Sequence, residues 1–338
     1  MQLVLLVPGM LAIAAERLAA MRALERLACY AAPPRAEPRG IAAALFVLLG
    51  LTADTPVAPL AMLGAGGDPR DDYVLSADPV HMAADRDTVL LVQRVDDASA
   101  DECVQLVRML DGHFASDGLR FEALRPDAWF ARCRDAPDVR MTPLDAALRR
   151  PLFPLLPGGA DARRWRTWQN EIQMLLHEHP VNAGREAHGQ PTVTGLWFWG
   201  GGALRDVGVA SVGFVAAAAG APGDLARGLA QHCGVSARQL HDDDDLAHAL
   251  DTWGTPASRN ATSAFAVVVP PASLSPQRLE SGWLVPALAR LARGDLEALH
   301  LIADGNGGAG TWSAARPTWW RRIAARAAHR RFDVPHAA

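Results

Sequence analysis

Short apolar runs recur along this chain, QLVLLV at 2–7, VLLV within TVLLVQRV at 88–95, AFAVVV at 264–269 and LHLIA at 299–303. Stretches whose apolar residues recur at three and four separate them almost throughout. Strand-length runs alternating with helical periods restrict the chain to an α/β architecture. The first strand, 2–7, precedes a helix over about 12–29. AAPPRAEPRG is a loop broken by its prolines and Gly40, 41–50 is a buried helix, and PVAPLAMLGAGGDPRDD is a second loop-rich segment.

From Thr88 the order changes. A strand (TVLLVQRV) and a helix (SADECVQLVRMLDGHFA) precede two strands, GLRFEAL and AWFARCR, joined through a Pro-Asp turn. A long helix then begins near Asp161, a candidate N-cap, and is stopped by Pro180. This strand–helix–strand–strand–helix order predicts a small α+β subdomain at 75–191, inserted into an α/β core made of 1–74 and 192–338. The core resumes with VTGLWFW and VGVASVGFV. Helices follow over about 223–232 and from the acidic run 242–245 to Trp253, then the strand AFAVVV and a helix over about 276–292. LEALHLIADGNGGAGTWSA reads as two strands joined at Asn306-Gly307. The tail WWRRIAARAAHRRF reads as a C-terminal helix with a solvated arginine face.

Composition narrows the function classes. With 338 residues and a formal charge of −4, nothing global steers the chain to nucleic acid or to an anionic membrane. All 33 basic residues are arginines, which removes Schiff-base and P-loop lysine chemistry. Cys29, Cys103, Cys133 and Cys233 form no CxxC pair and fit reduced thiols. The apolar N-terminus lacks a positive n-region and leads into an amphipathic pattern at Glu16-Arg17, unlike a secretion signal. IAAALFVLLGL is too short to span a bilayer. A cytoplasmic protein with no membrane span is expected.

Several polar motifs invite chemistry and resolve into plainer readings. HEHPV at 177–181 is not HExxH, because the second histidine stands at i+2. No spacing brings His177, His179 and His188 together around a metal. HDDDDLAH suits a helix N-terminus better than a calcium loop. DGNGGAG lacks the P-loop GK[ST]. In LSADPVH the Ser, Asp and His alternate faces of one strand and cannot meet as a triad. On the helix before Pro180, Asn170, Gln173 and His177 form a polar stripe beside the apolar one, an amide ladder suited to a neighbouring element. WFWGGG offers two tryptophans on one face and bare backbone amides, which fit either a binding crevice or a tight turn.

HPVNxxRExxG followed by LWFWGGG resembles the middle motif of the archaeal-type cofactor-independent phosphoglycerate mutases. It is more similar still to a proteobacterial branch described as regulatory proteins of pathogenicity-factor clusters. PVAPLAMLGAGGDPRDDYVLSADPVH and NEIQMLLHEHPVN carry the same resemblance. It implies an alkaline-phosphatase-like core sheet flanked by helices, with a small α+β insertion. It also implies metal-binding motifs that this chain does not carry. Where active members end the first strand in Asp-Gly, this chain has Pro8-Gly9. The Asp-rich motif after a late strand is replaced by PPASLSP, and the later Asp-His pair by Asp304 without its histidine. A nucleophilic Ser or Thr has no counterpart, and Thr194-Gly195 replaces an asparagine.

The expectation is therefore a catalytically degenerate phosphoglycerate-mutase-like protein without metal or cofactor, regulating or binding a phosphorylated metabolite or a protein partner. Two alternatives stand beside it. One is a working mutase or phosphohydrolase whose site is rebuilt from His177, His179, Asp78, His81 and the 242–245 run; the other is a purely structural subunit. The candidate ligand-binding residues are His179, Asn182, Arg185, Trp197, Trp199, Gly200, Asp78 and His81. The arginine fork with a histidine and an asparagine suits an anionic ligand, in a cleft between core and insertion. The competing reading pairs Arg185 with Glu186 or Glu178.

Overall fold

The computed structural model describes residues 1–86, 88–251, 253, 265–305, 308–317 and 332. Their strands are β1 (Gln2–Val7), β2 (Arg35–Glu37), β3 (Tyr73–Asp85), β4 (Thr88–Arg94), β5 (Leu119–Arg125) and β6 (Ala128–Cys133). They continue with β7 (Gly195–Gly202), β8 (Val212–Ala217), β9 (Ala237–Gln239), β10 (Phe265–Val269), β11 (Ala298–Gly305) and β12 (Gly308–Ala315). The chain is mixed α/β and divides into two compact units, Met1–Asp54 with Val209–Ala338, and Thr55–Gly208. Among the described residues no helix is long and apolar enough to cross a membrane. The expected turn at Asn306-Gly307 and the helical tail lie outside the described residues.

The first unit holds a seven-stranded sheet in the order β2-β12-β11-β1-β10-β8-β9. β1 pairs in parallel with both β10 and β11, and β10 with β8. These central strands are continuous apolar runs because both faces are covered, which is the usual condition of a parallel sheet; Leu3, Val4, Leu5 and Leu6 are all fully buried. β11 and β12 pair antiparallel, as the hairpin reading expects. The helix expected over 12–29 is two helices, Ala15–Ala19 and Arg22–Tyr30. The one expected over 276–292 starts at an Ser275 cap and widens into a π turn at Leu279–Leu284 before continuing as Val285–Arg293. Pro286 has no N–H to donate to the turn before it, and the wider turn accommodates that loss.

His300 stands inside this sheet on β11, with Nδ1 at 2.8 Å from the Ser313 hydroxyl and Nε2 at 3.1 Å from Gln2 Oε1. Burial penalises its cation and pushes its pKa down to about 4. The unfolded chain protonates this histidine near pH 6.5 and the folded chain does not, so stability is full above pH 6.5. It falls progressively between about 6.5 and 4, by on the order of 3 kcal/mol. Urea midpoints at pH 7.5 and 4.5 should therefore differ less in His300→Gln than in the wild type. An equal loss in both would show that His300 is not the group responsible.

The second unit is an antiparallel sheet ordered β4-β3-β6-β5, with β7 on the other edge of β3. β3 is the organising strand, pairing with β6 through Tyr73–Ser76, with β7 through Val74–Val80 and with β4 through Val80–Asp85. β7 belongs to this sheet, whereas the sequence placed VTGLWFW in the core. The reason is its register on β3, which puts Trp197 opposite Asp78 and Trp199 opposite Ser76. One face carries the helices Ala100–Phe114 and Ala162–His177, packing Leu106, Phe114, Trp165, Trp168 and Ile172 on Phe121, Trp129 and Phe198. PVAPLAML is not a loop: Ala58–Gly64 is a helix with Pro59 in its first turn, a position that needs no N–H.

Candidate functional site

The sequence around Pro180 builds a helix rather than a loop. The helix Ala162–His177 ends, and Pro180–Ala187 begins with Pro180 in its first turn and His179 as N-cap. The His179 ring accepts from the Val181 amide at 3.2 Å through Nδ1. Burial lowers the pKa of this imidazole, which suits an acceptor role.

Asn182 and Arg185 turn inward from the same helix. Asn182 donates to Leu176 O at 2.7 Å and to Val193 O at 2.8 Å, and accepts from the Val193 amide at 2.8 Å. Its whole amide is consumed in tying the helix junction to the segment before β7. The Arg185 side chain is 1% exposed. Its Nε donates to Pro191 O at 2.8 Å, and its terminal nitrogens meet Glu102 at 3.3 Å and Asp97. The partners foreseen from the sequence, Glu178 and Glu186, are not the ones used. Glu102 also closes a capping box with Ser99 at the start of Ala100–Phe114. One arginine thus joins a helix end, a loop and a second helix.

Asp78 and the tryptophans form another closed network. Asp78 accepts from Trp199 Nε1 at 2.6 Å and pairs with Arg94 at 2.6 Å, while Arg94 also reaches Asp127 O. Trp197 donates to Thr142 O at 2.8 Å. The three glycines after Trp199 serve close approach within this unit. Gly200 adopts φ +66°, a Cβ on Gly201 would lie 2.7 Å from the Tyr73 hydroxyl, and one on Gly202 would overlap Pro56. These are contacts with the chain's own atoms. The run 242–245 is likewise engaged: Asp245 caps Leu246–Ala249, Asp244 accepts from the His241 amide, and Asp242 accepts from Ser273.

What remains open is a groove of about 1240 Å³ in the second unit. Asn170, Gln173 and His177, the polar stripe read from the sequence, line it together with His81, Thr192, Thr194, Glu178 and Glu186. The stripe does not tie the helix to a neighbour: among the described residues none of its three side chains finds a hydrogen-bond partner. His81 directs Nδ1 to Thr192 O at 2.9 Å, so Nδ1 carries the proton and Nε2 is left as an acceptor. His81, His179 and Asn182 therefore border one groove, whereas Arg185 lines a different hollow, where Asp97 and Glu102 hold its guanidinium. Sequence reasoning named Arg185 among the ligand candidates and read the amide stripe as a tie to a neighbouring element.

In the first unit the places implied for metal ligands are filled otherwise. Gly9, at φ +71° after β1, donates its amide to Asp304 Oδ1 at 2.6 Å. Met10 and Leu11 are buried just beyond, and a Cβ on Gly305 would overlap Ala12. Among the described residues no group of three or more His, Cys, Asp or Glu side chains converges. The residues at these strand ends do not fit a two-metal site, which needs several carboxylates and imidazoles around each ion.

No family model matches the chain, and no curated protein matches it. Among solved structures it is similar to the PH0037 protein from Pyrococcus horikoshii, at 13% identity, covering 93% of this chain and 87% of that one with a TM-score of 0.47. It is also similar to a cofactor-independent phosphoglycerate mutase from Thermoplasma acidophilum, at 14% identity, covering 94% and 90% with a TM-score of 0.39.

Proposed function

We propose that this chain is a phosphoglycerate-mutase-like protein of alkaline-phosphatase-like core that has given up catalysis and acts in the cytoplasm as a regulatory or binding protein. The observation that carries the reading is the bond between Asp304 and the Gly9 amide. Where the resemblance implies a carboxylate at the end of β1, Pro8-Gly9 stands. The carboxylate that remains on β11 is spent on the backbone. Ligands occupy the crevice at the carboxyl ends of strands in open α/β sheets, and here Met10, Leu11 and the Gly9–Asp304 bond occupy those ends.

Two of the sources from which a relocated site could be rebuilt support the same reading, whereas His81, His177 and His179 line the open groove without a carboxylate ligand set among the described residues. Asp78 is held by Arg94 and Trp199, and the 242–245 run by caps and turns. The natural experiment is metal analysis of protein purified without added metal, with assay of 2- and 3-phosphoglycerate interconversion in the presence of Mn²⁺ or Zn²⁺. Substoichiometric metal and background turnover are expected. Two tightly held ions per chain, with turnover lost to a chelator, would reverse the proposal.

A further inference from the structure

The groove on the helix Ala162–His177 presents a chemistry that differs from the anionic-ligand site expected at Arg185. Its lining contains no arginine, and it contains two carboxylates, Glu178 and Glu186, neither paired with a described cation. A phosphate would meet no arginine there, only the rings of His81, His177 and His179, with two carboxylates against it. A cationic group would be favoured. Along the helix, Asn170, Gln173 and His177 stand at spacings of three and four, so the stripe runs about 10 Å at 1.5 Å per residue. That is the length of about three residues of extended chain. Each side-chain amide offers a donor and an acceptor, the complement of a peptide unit. Met174 lines the same groove and is 67% exposed, an apolar contact for an aliphatic stem.

We infer that this groove holds an extended peptide segment of a partner protein, whose backbone hydrogen-bonds to Asn170 and Gln173 and whose arginine or lysine sits against Glu178 and Glu186. A small polyamine would satisfy the carboxylates but leave the amide acceptor–donor pairs half used, so the peptide is the better match. The inference rests on the binding-protein reading above and names the partner chemistry at a site away from the Gly9–Asp304 bond.

The test uses the full chain against a positional-scanning library of N-acetylated hexapeptide amides, with acidic and phosphoserine positions included. Arginine and lysine should be selected at one position by about tenfold over alanine, with acidic and phosphorylated residues disfavoured. Glu178→Gln with Glu186→Gln should erase that preference while leaving the other positions unchanged. Asn170→Ala with Gln173→Ala should weaken binding of every selected peptide. All four positions are partly or fully exposed, and circular dichroism confirms that the variants are folded. No selection, selection of phosphorylated or acidic peptides, or a basic preference that survives in the Glu178/Glu186 variant would overturn the inference. Metal-dependent turnover would instead overturn the parent reading and leave the peptide profile standing.

Discussion

Arg185→Ala is expected to lower stability by about 2–4 kcal/mol, a large decrease for one side chain. The guanidinium is buried and bonds three separate pieces of chain: Pro191 O, Glu102 and Asp97. Its removal leaves the Pro191 carbonyl without its donor and Glu102, 23% exposed, without its countercharge. The Asp97 side chain is 51% exposed, so water takes over much of its solvation and the loss stays below that of a fully buried pair. Arg185→Lys should recover little, since a point charge cannot bridge three acceptors set around a planar fork. Urea unfolding at neutral pH reads both variants. A midpoint unchanged from wild type, with loss of binding to a phosphorylated ligand, would return Arg185 to the role that its residue type first suggested.

That contrast shows where the sequence was legible. The central strands were readable because a doubly covered strand must be largely apolar, as β10 and β1 from Leu3 to Val7 are, and as β11 is apart from His300 and Asp304. The stripe of Asn170, Gln173 and His177 was readable from helical period alone. What surrounds it was not, since whether a stripe meets a neighbour or an open groove depends on β3 and β4, some 80 residues earlier. The partners of Arg185 are 83 and 88 residues away in sequence, while Glu178 and Glu186 are adjacent and were the obvious guess. Prolines were legible in part. Pro180 stops the helix Ala162–His177 as read but also opens Pro180–Ala187, and PVAPLAML, read as loop, carries Pro59 in the first turn of Ala58–Gly64, where a missing N–H costs nothing. Pro79, in contrast, sits within β3: LSADPVH reads as a strand, but its proline gives no sign of a strand of 13 residues that pairs with three others. The placement of β7 followed from that strand, so the sheet to which LWFW belongs could not be read without it.

Asp78→Ala should be more damaging than Arg185→Ala, costing about 3–5 kcal/mol. The Asp78 carboxylate is 6% exposed and faces Arg94, itself only 20% exposed. It is also the acceptor for Trp199 Nε1. Without it, Arg94 keeps the Asp127 carbonyl as its remaining acceptor, and its Nε already has no partner. The cost is then mostly that of a stranded cation beneath β3, β4 and β7, not the worth of the ion pair itself. This distinction can be measured. Adding Arg94→Met to Asp78→Ala removes the stranded charge while keeping most of the buried stem, and it should restore a large part of the loss. The double-mutant cycle should then give a coupling of about 2 kcal/mol or more. Asp78→Asn, which can still accept from Trp199, should fall between wild type and alanine. A residue kept for a ligand or a metal behaves in the opposite way, because relieving its exposed charge leaves the apo protein unharmed or more stable. An Asp78→Ala variant as stable as the wild type would therefore place Asp78 among binding residues and show that its bonds to Arg94 and Trp199 contribute little to the fold.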